Sequence, residues 1–334
     1  MTHDAILLIS FGGPEGPDDV MPFLENVTRG RGIPRERLEA VAHHYYALGG
    51  VSPINAQNRE LISALRDELA SLDVDLPIYW GNRNWQPMLA DTLREIAAAG
   101  HRRVLGLTTS AYSSYSGCRQ YQENLKDALA ETGLTDTLSI DLIGQYFELP
   151  GFVSPVADAV VSAVRELTGP VRILFTTHSI PTAMGETSGP PNARGAYVRQ
   201  HETVAAAVME QVRDVLGEEL TSALVFQSRS GPPQVPWLEP DINDAITSAA
   251  AEGVAGVVVV PIGFISDHVE VIWDLDHEAA DTAESLGVGF RRVPTVGIDP
   301  RFVGDLAAKV SASLRSGSGK VCPGDCCPNP RPRP

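Results

Sequence analysis

The chain reads as an α/β protein made of two similar doubly wound (Rossmann-like) domains, and three observations predict this. Short apolar runs rich in β-branched residues recur along the sequence. Amphipathic stretches of helical period separate them, and the scheme is run through twice in 334 residues. Strands alternating with helices imply parallel sheets covered on both faces.

Taken in order, residues 5–10 form an unbroken aliphatic run ending in Ser10, and residues 77–80, 104–109 and 138–143 repeat it as strands, with helical patterns in the gaps. In the second half residues 171–177, 223–227 and 256–262 read as strands, and residues 155–167, 196–216 and 242–251 as helices. Leu149, Pro150 and Gly151 mark the boundary, so the expected domains are 1–149 and 150–298, with an active-site cleft between them. Residues 299–334 are expected to form a C-terminal helix and a cysteine-containing tail that packs back on the first domain. The Ser-Gly-rich stretch at 316–320 is a flexible linker by composition. The residues beyond it have no reason to be ordered unless something binds them.

Hydrophobic content of 43% and charged content of 20% are those of a globular protein. No stretch approaches the roughly 18 consecutive apolar residues of a membrane span, and the N-terminus lacks a signal-peptide layout. A soluble, cytoplasmic protein without integral membrane association is expected. The net charge of −16 argues against nucleic acid as a partner and is compatible with attracting cations. Three of the four cysteines, Cys322, Cys326 and Cys327, crowd the C-terminus, and Cys118 stands alone upstream.

In doubly wound sheets ligands bind beyond the carboxyl ends of the strands, and two segments qualify. One is His178-Ser179-Ile180-Pro181 after a strand; the other is Ser266-Asp267-His268-Val269-Glu270, which continues into Asp274 and Glu278. On a helix Glu270, Asp274 and Glu278 make one line of carboxylates, although like charges at that spacing weaken a helix by about 0.2–0.5 kcal/mol per pair. A solvated acidic face and a cation or proton site both fit that line. Asp267 fits the cap of the helix. A neutral imidazole facing carboxylates can accept a proton and pass it on.

These residues resemble the ferrochelatase family. The likeness rests on His178 to Pro181, on Ser266 to Glu278, on Gly49-Gly50-Val51-Ser52-Pro53-Ile54, on Gln227-Ser228 and on Pro236-Trp237-Leu238-Glu239-Pro240, in collinear order over residues 4–315. It implies two chelatase-type domains and insertion of Fe²⁺, as substrate, into a porphyrin with loss of two pyrrole protons. By that resemblance His178 is the base or transient iron ligand, Glu270 stands opposite it, and Asp274 and Glu278 extend a path for protons or metal. Phe11, Trp85, Tyr112 and Trp237 would wall the cleft, with Phe11 where some relatives carry a Tyr able to reach iron. Arg29, Arg31, Ser52 and Tyr121 resemble the propionate-binding set of the coproporphyrin branch, with His44 where that branch often has an Arg.

Branch choice rests on residues 29–37, Arg-Gly-Arg-Gly-Ile-Pro-Arg-Glu-Arg, which are too charged for the apolar lip of membrane-associated protoporphyrin IX enzymes. Coproporphyrin III is the expected substrate and protoporphyrin IX the alternative. Some ferrochelatases hold a [2Fe–2S] cluster with one mid-chain and three C-terminal cysteines. Cys118, Cys322, Cys326 and Cys327 reproduce that layout, with a tighter adjacent pair; the competing readings are structural zinc, which usually takes paired Cys-x2-Cys loops, and disulfides, which a reducing cytosol disfavours. Rival readings are a cobalt/sirohydrochlorin-type chelatase, with His268 in a histidine pair, and a non-catalytic haem carrier. A haem acceptor or downstream haem-pathway enzyme is an expected partner.

Overall fold

A computed structural model describes residues 2–231, 234–317, 319–320 and 322–330. The described residues within Met1–Ser110, Gln120–Gly144 and Val303–Val321 form one compact unit, and those within Ala111–Arg119, Gln145–Phe302 and Cys322–Pro334 form a second.

The first unit contains β1 (Ala5–Ser10), β2 (Ile78–Asn82), β3 (Arg103–Thr108) and β4 (Ser139–Leu142), in the spatial order β2-β1-β3-β4. The second contains β5 (Val171–His178), β6 (Thr221–Gln227), β7 (Gly256–Val260) and β8 (Gly289–Arg292), in the order β6-β5-β7-β8. All neighbouring strands are parallel. Both sheets are therefore doubly wound with one topology.

Central strands are apolar on both faces because helices cover both: Ala5 to Ile9 and Val257 to Val260 are each no more than 1% exposed. Full burial of one such Val, Leu or Ile contributes roughly 1.5–3 kcal/mol. Leu89, Leu93 and Ile96 pack beneath the first sheet, and Ile242, Ile246 and Ala249 beneath the second.

Three features depart from the sequence reading. The strand β8 was not expected, since Gly-Phe-Arg-Arg is poor in β-branched residues; it forms as a sheet edge whose Arg292 is taken by Asp267 and Asp276. The changeover between units falls at Gly144 and Gln145 rather than at 149–151, because Tyr146 and Phe147 pack on Phe302 and Tyr112 of the second unit. The cysteine tail, expected on the first domain, groups with the second unit, which also takes residues 111–119 and hence Cys118. The expected C-terminal helix is present as Pro300–Ser316. No helix among the described residues is long and apolar enough to cross a membrane.

Candidate active site

Strand order in the second sheet reverses between β5 and β7, and His178 is the last residue of β5. Beyond it the chain is pinned: Ser179 N–H donates to Gln227 O at 2.7 Å and its hydroxyl to Leu238 O at 2.8 Å. The exit of β7 passes so close that a Cβ on Gly263 would lie 2.1 Å from Thr177 Oγ1. Only glycine fits there, which brings the two strand ends together.

His178 Nδ1 is hydrogen-bonded to Ser179 O. A carbonyl only accepts, so Nδ1 carries the proton and, in the neutral ring, Nε2 keeps the lone pair. That Nε2 lies 3.7 Å from Glu270 Oε2. Behind it the buried Tyr197 hydroxyl donates to His178 O at 2.8 Å and lies 2.8 Å from Thr177 Oγ1. His268 stands edge-on to Phe264, at 4.6 Å between ring centroids. Burial holds its imidazole below the usual range, Glu270 opposes that, and His178 adds to it. Two imidazoles and one carboxylate thus share the strand-end site.

The acidic line is not carried by one α-helix. An α-helical turn, Val269–Ile272, passes directly into a π-helix, Trp273–Ala279. Val271, Leu275, Ala279 and Ala283 are all fully buried, so the core row repeats every four residues. A helix of 3.6 residues per turn would rotate that row steadily off the core. The wider π-turn offsets the drift, and Glu270, Asp274 and Glu278, next to that row at the same spacing, are held in line by the same device. This strict period of four was the available sequence signal.

Burial pushes the Asp274 carboxyl up to about 7, against the hydrogen bond it accepts from Ser228, with Glu270, Glu278 and Asp241 adding to the rise. Ser228 sits at φ 62°, a left-handed backbone that aims its hydroxyl at this carboxylate. Glu278 is exposed and accepts the Trp273 indole N–H at 2.9 Å. Asp267 does not cap the helix: His268 is the N-cap residue, without a side-chain bond. Asp267 is drawn instead to Arg292 at 2.9 Å, and Arg292 also holds Asp276 at 2.6 Å.

Phe11, Ser52, Tyr121 and Arg29 belong to the first unit. Phe11 follows β1 and is 37% exposed; Ser52 is buried beside Gly13 and donates its N–H to Pro14 O at 2.8 Å. Tyr121 is buried in the core of this unit, whereas Arg29 and Arg31 are exposed. Sequence reasoning missed Arg83, whose guanidinium lies 4.5 Å from the Tyr121 ring and 5.7 Å from the Phe11 ring, with Nε on Asn124 Oδ1 at 2.7 Å. It stands directly after β2, so the strand-end rule that selected His178 would have found it. Trp85 packs edge-on to Phe23 at 6.2 Å. Tyr112 is a core residue rather than an open wall: it stacks on His201 at 3.7 Å and donates to Ile262 O at 2.8 Å.

All four cysteines converge in the second unit. None is in a disulfide, and the sulfurs of Cys326 and Cys327 are 3.9 Å apart. A bond with Cys118 draws the Cys327 thiol below its usual range, while burial raises that of Cys326. No group of three or more His, Cys, Asp or Glu among the described residues is arranged to hold a single metal ion.

A doubly wound sheet with imidazole and carboxylates at its switch point defines a chelatase-like architecture. The ferrochelatase family pattern matches residues 3–314, and the chain belongs to that family. It is 54% identical to the coproporphyrin III ferrochelatase of Streptomyces coelicolor, over 99% of this chain and 95% of the relative. With the enzyme of the same description from Leifsonia xyli the identity is 49%, over 99% and 92%. Among solved structures, the cobalt complex of a sirohydrochlorin chelatase from Bacillus subtilis subspecies spizizenii aligns over 93% of this chain and 95% of its own, with a TM-score of 0.50 at 9% identity. That likeness concerns the fold alone.

Proposed function

We propose that the chain inserts Fe²⁺ into coproporphyrin III, giving coprohaem and two protons. The observation that carries the chemistry is His178, whose Nδ1 bond to Ser179 O leaves Nε2 as the lone-pair nitrogen of the neutral ring, 3.7 Å from Glu270. In this reading Nε2 takes a pyrrole proton or holds iron briefly, Glu270 takes the second proton, and Asp274 with Glu278 leads charge away. A carboxyl near pKa 7 both accepts and releases a proton at neutral pH, which suits Asp274 to relay. Imidazole and carboxylate suit Fe²⁺ but also bind other divalent ions, so metal choice depends partly on supply.

The substrate assignment is supported by relatives described as coproporphyrin III ferrochelatases and by the arginine-rich loop 29–37. Phe11, Ser52, Tyr121 and Arg29 are proposed porphyrin contacts, and Arg83, fixed between two of them, is a further cation for a propionate. The setting is the cytoplasm, with a haem-pathway enzyme as acceptor of the product.

Cys118, Cys322, Cys326 and Cys327 are proposed to hold a [2Fe–2S] cluster. Four packed, unbridged sulfurs fit it, since each iron takes two thiolates and no three need meet on one ion. When bound, the cluster supplies a covalent tie between Cys118 and the tail and a one-electron redox centre.

Anaerobic incubation with Fe²⁺ and either coproporphyrin III or protoporphyrin IX tests the assignment through loss of porphyrin fluorescence. Faster turnover of coproporphyrin III is expected. Binding without turnover would identify a carrier, and preference for protoporphyrin IX would reverse the branch. For the cluster, absorption between about 400 and 600 nm with matching iron and sulfide is expected after anaerobic purification; a colourless protein with stoichiometric zinc would overturn it.

A further inference from the structure

The tail 322–330 contains no helix or strand, and three of its residues are prolines. Donors elsewhere in the second unit hold it, and its own Asn329 amide donates to the Tyr115 hydroxyl at 3.0 Å. The Arg119 guanidinium donates to Pro323 O at 2.7 Å, to Gly324 O at 3.0 Å and to Cys326 O at 2.9 and 3.1 Å. Arg194 donates to Asp325 O at 3.0 Å while its other amino group holds Thr187 O and Gly189 O, each at 2.7 Å. Gly189 in turn gives its N–H to Cys327 Sγ at 3.1 Å and accepts from Cys327 N–H at 3.2 Å. The arginine bonds all end on backbone carbonyls, so none of them needs a metal to form.

We infer that Arg119 and Arg194 are positioning residues that dock the cysteine tail by its backbone carbonyls in the metal-free chain, so that a cluster enters a preformed four-sulfur site. The last clause rests on the cluster reading above; the docking does not. Bringing residues 322–327 to Cys118 closes a long loop, and a chain already closed leaves less ordering entropy for metal binding to offset. Arginine suits the task because its planar fork spans several carbonyls and stays charged. Arg119 immediately follows Cys118, so one turn of chain presents both a sulfur and the clamp for the other three.

The test uses the full chain, reduced and stripped with chelator, and follows alkylation of each cysteine by mass spectrometry against the urea-unfolded chain. In the parent, Cys326 and Cys327 are expected to react at least ~100-fold more slowly than when unfolded. Arg119→Met and Arg119→Lys are expected to remove most of that protection, since lysine keeps the charge and loses the fork. Arg194→Met should remove part of it. Unchanged coproporphyrin binding and melting temperature establish that the variants are folded. Anaerobic reconstitution with Fe²⁺ and sulfide should then give severalfold less cluster in the Arg119 variants. Parent tail cysteines reacting at the unfolded rate, or full protection in both Arg119 variants, would overturn the docking. A protected parent tail that takes up no iron and sulfide would overturn the cluster reading and the final clause, with docking upheld by the alkylation rates.

Discussion

The two sheets share one topology and differ in what leaves their strand ends. β1 and β5 occupy the same place in their sheets, each beside the point where strand order reverses, and a proline comes within four residues of the end of each. β1 exits as Phe11-Gly12-Gly13-Pro14, β5 as His178-Ser179-Ile180-Pro181. After the third strand of each half the chain forms a π-helix: Tyr115–Arg119 with Cys118, and Trp273–Ala279 with Asp274 and Glu278. Repetition of the fold fixes where functional residues are placed. It does not decide the chemistry, which comes from the side chains set there.

The sharpest way to break this contrast is to remove the two equivalent strand-end side chains. His178→Ala is expected to lower the rate of iron insertion by about a thousandfold or more, the scale of losing a positioned base, with porphyrin binding retained. Phe11→Ala should act mainly on KM and by no more than about tenfold, because it removes contact area and leaves the proton acceptor in place. Comparable losses in kcat for the two variants would mean that chemistry is shared between the halves.

Glu270→Gln keeps the shape and removes the charge 3.7 Å from His178 Nε2. A fall in kcat of about a hundredfold is expected, the lower range for acid–base groups, because in the proposed mechanism His178 still accepts a proton. Arg83→Met tests the first unit again: it removes a cation but keeps a long apolar stem, so KM for coproporphyrin should rise about tenfold with little change in kcat. A kcat effect without a KM effect would assign Arg83 to the chemistry instead.

Much of this contrast was legible in the sequence. Aliphatic runs such as residues 5–10 and 256–260 mark buried parallel strands because both faces are covered, so no alternation hides them. The strand-end rule then selected His178 and Glu270, which the structure brings together. The features that escaped are held by tertiary contact. β8 has weak propensity and depends on sheet pairing; Asp267 left its expected capping role because Arg292, distant in sequence, competes for it. The π-helix was readable in the four-residue spacing of Val271, Leu275, Ala279 and Ala283, but only once the row is known to face the core. Arg83 lacked any motif around it. That the tail packs back was expected, but the residues that dock it were invisible, because Arg119 and Arg194 bind backbone carbonyls, which carry no residue-specific signal.

The smallest expected effect separates the two π-helices by pH. Tyr115–Arg119 carries no carboxylate, whereas Asp274 in the other is pushed from an ordinary 3.8 up to about 7. Between those values the folded chain keeps a proton that the unfolded chain has released. The stability this contributes is present in full below about 3.8 and is lost as pH rises through about 7. Asp274→Asn keeps an acceptor for the Ser228 hydroxyl and has no proton to lose, so the variant should gain on the parent across that window. A gain on the order of 2 kcal/mol is expected, below the full value of about 1.4 kcal/mol per pH unit because water reaches part of the side chain. Urea denaturation of both proteins at the two ends of the window measures it, with the difference widening toward neutral pH. Parallel stability curves would show that Asp274 ionises normally. The proton relay would then have to be carried by Glu270 and His178 alone.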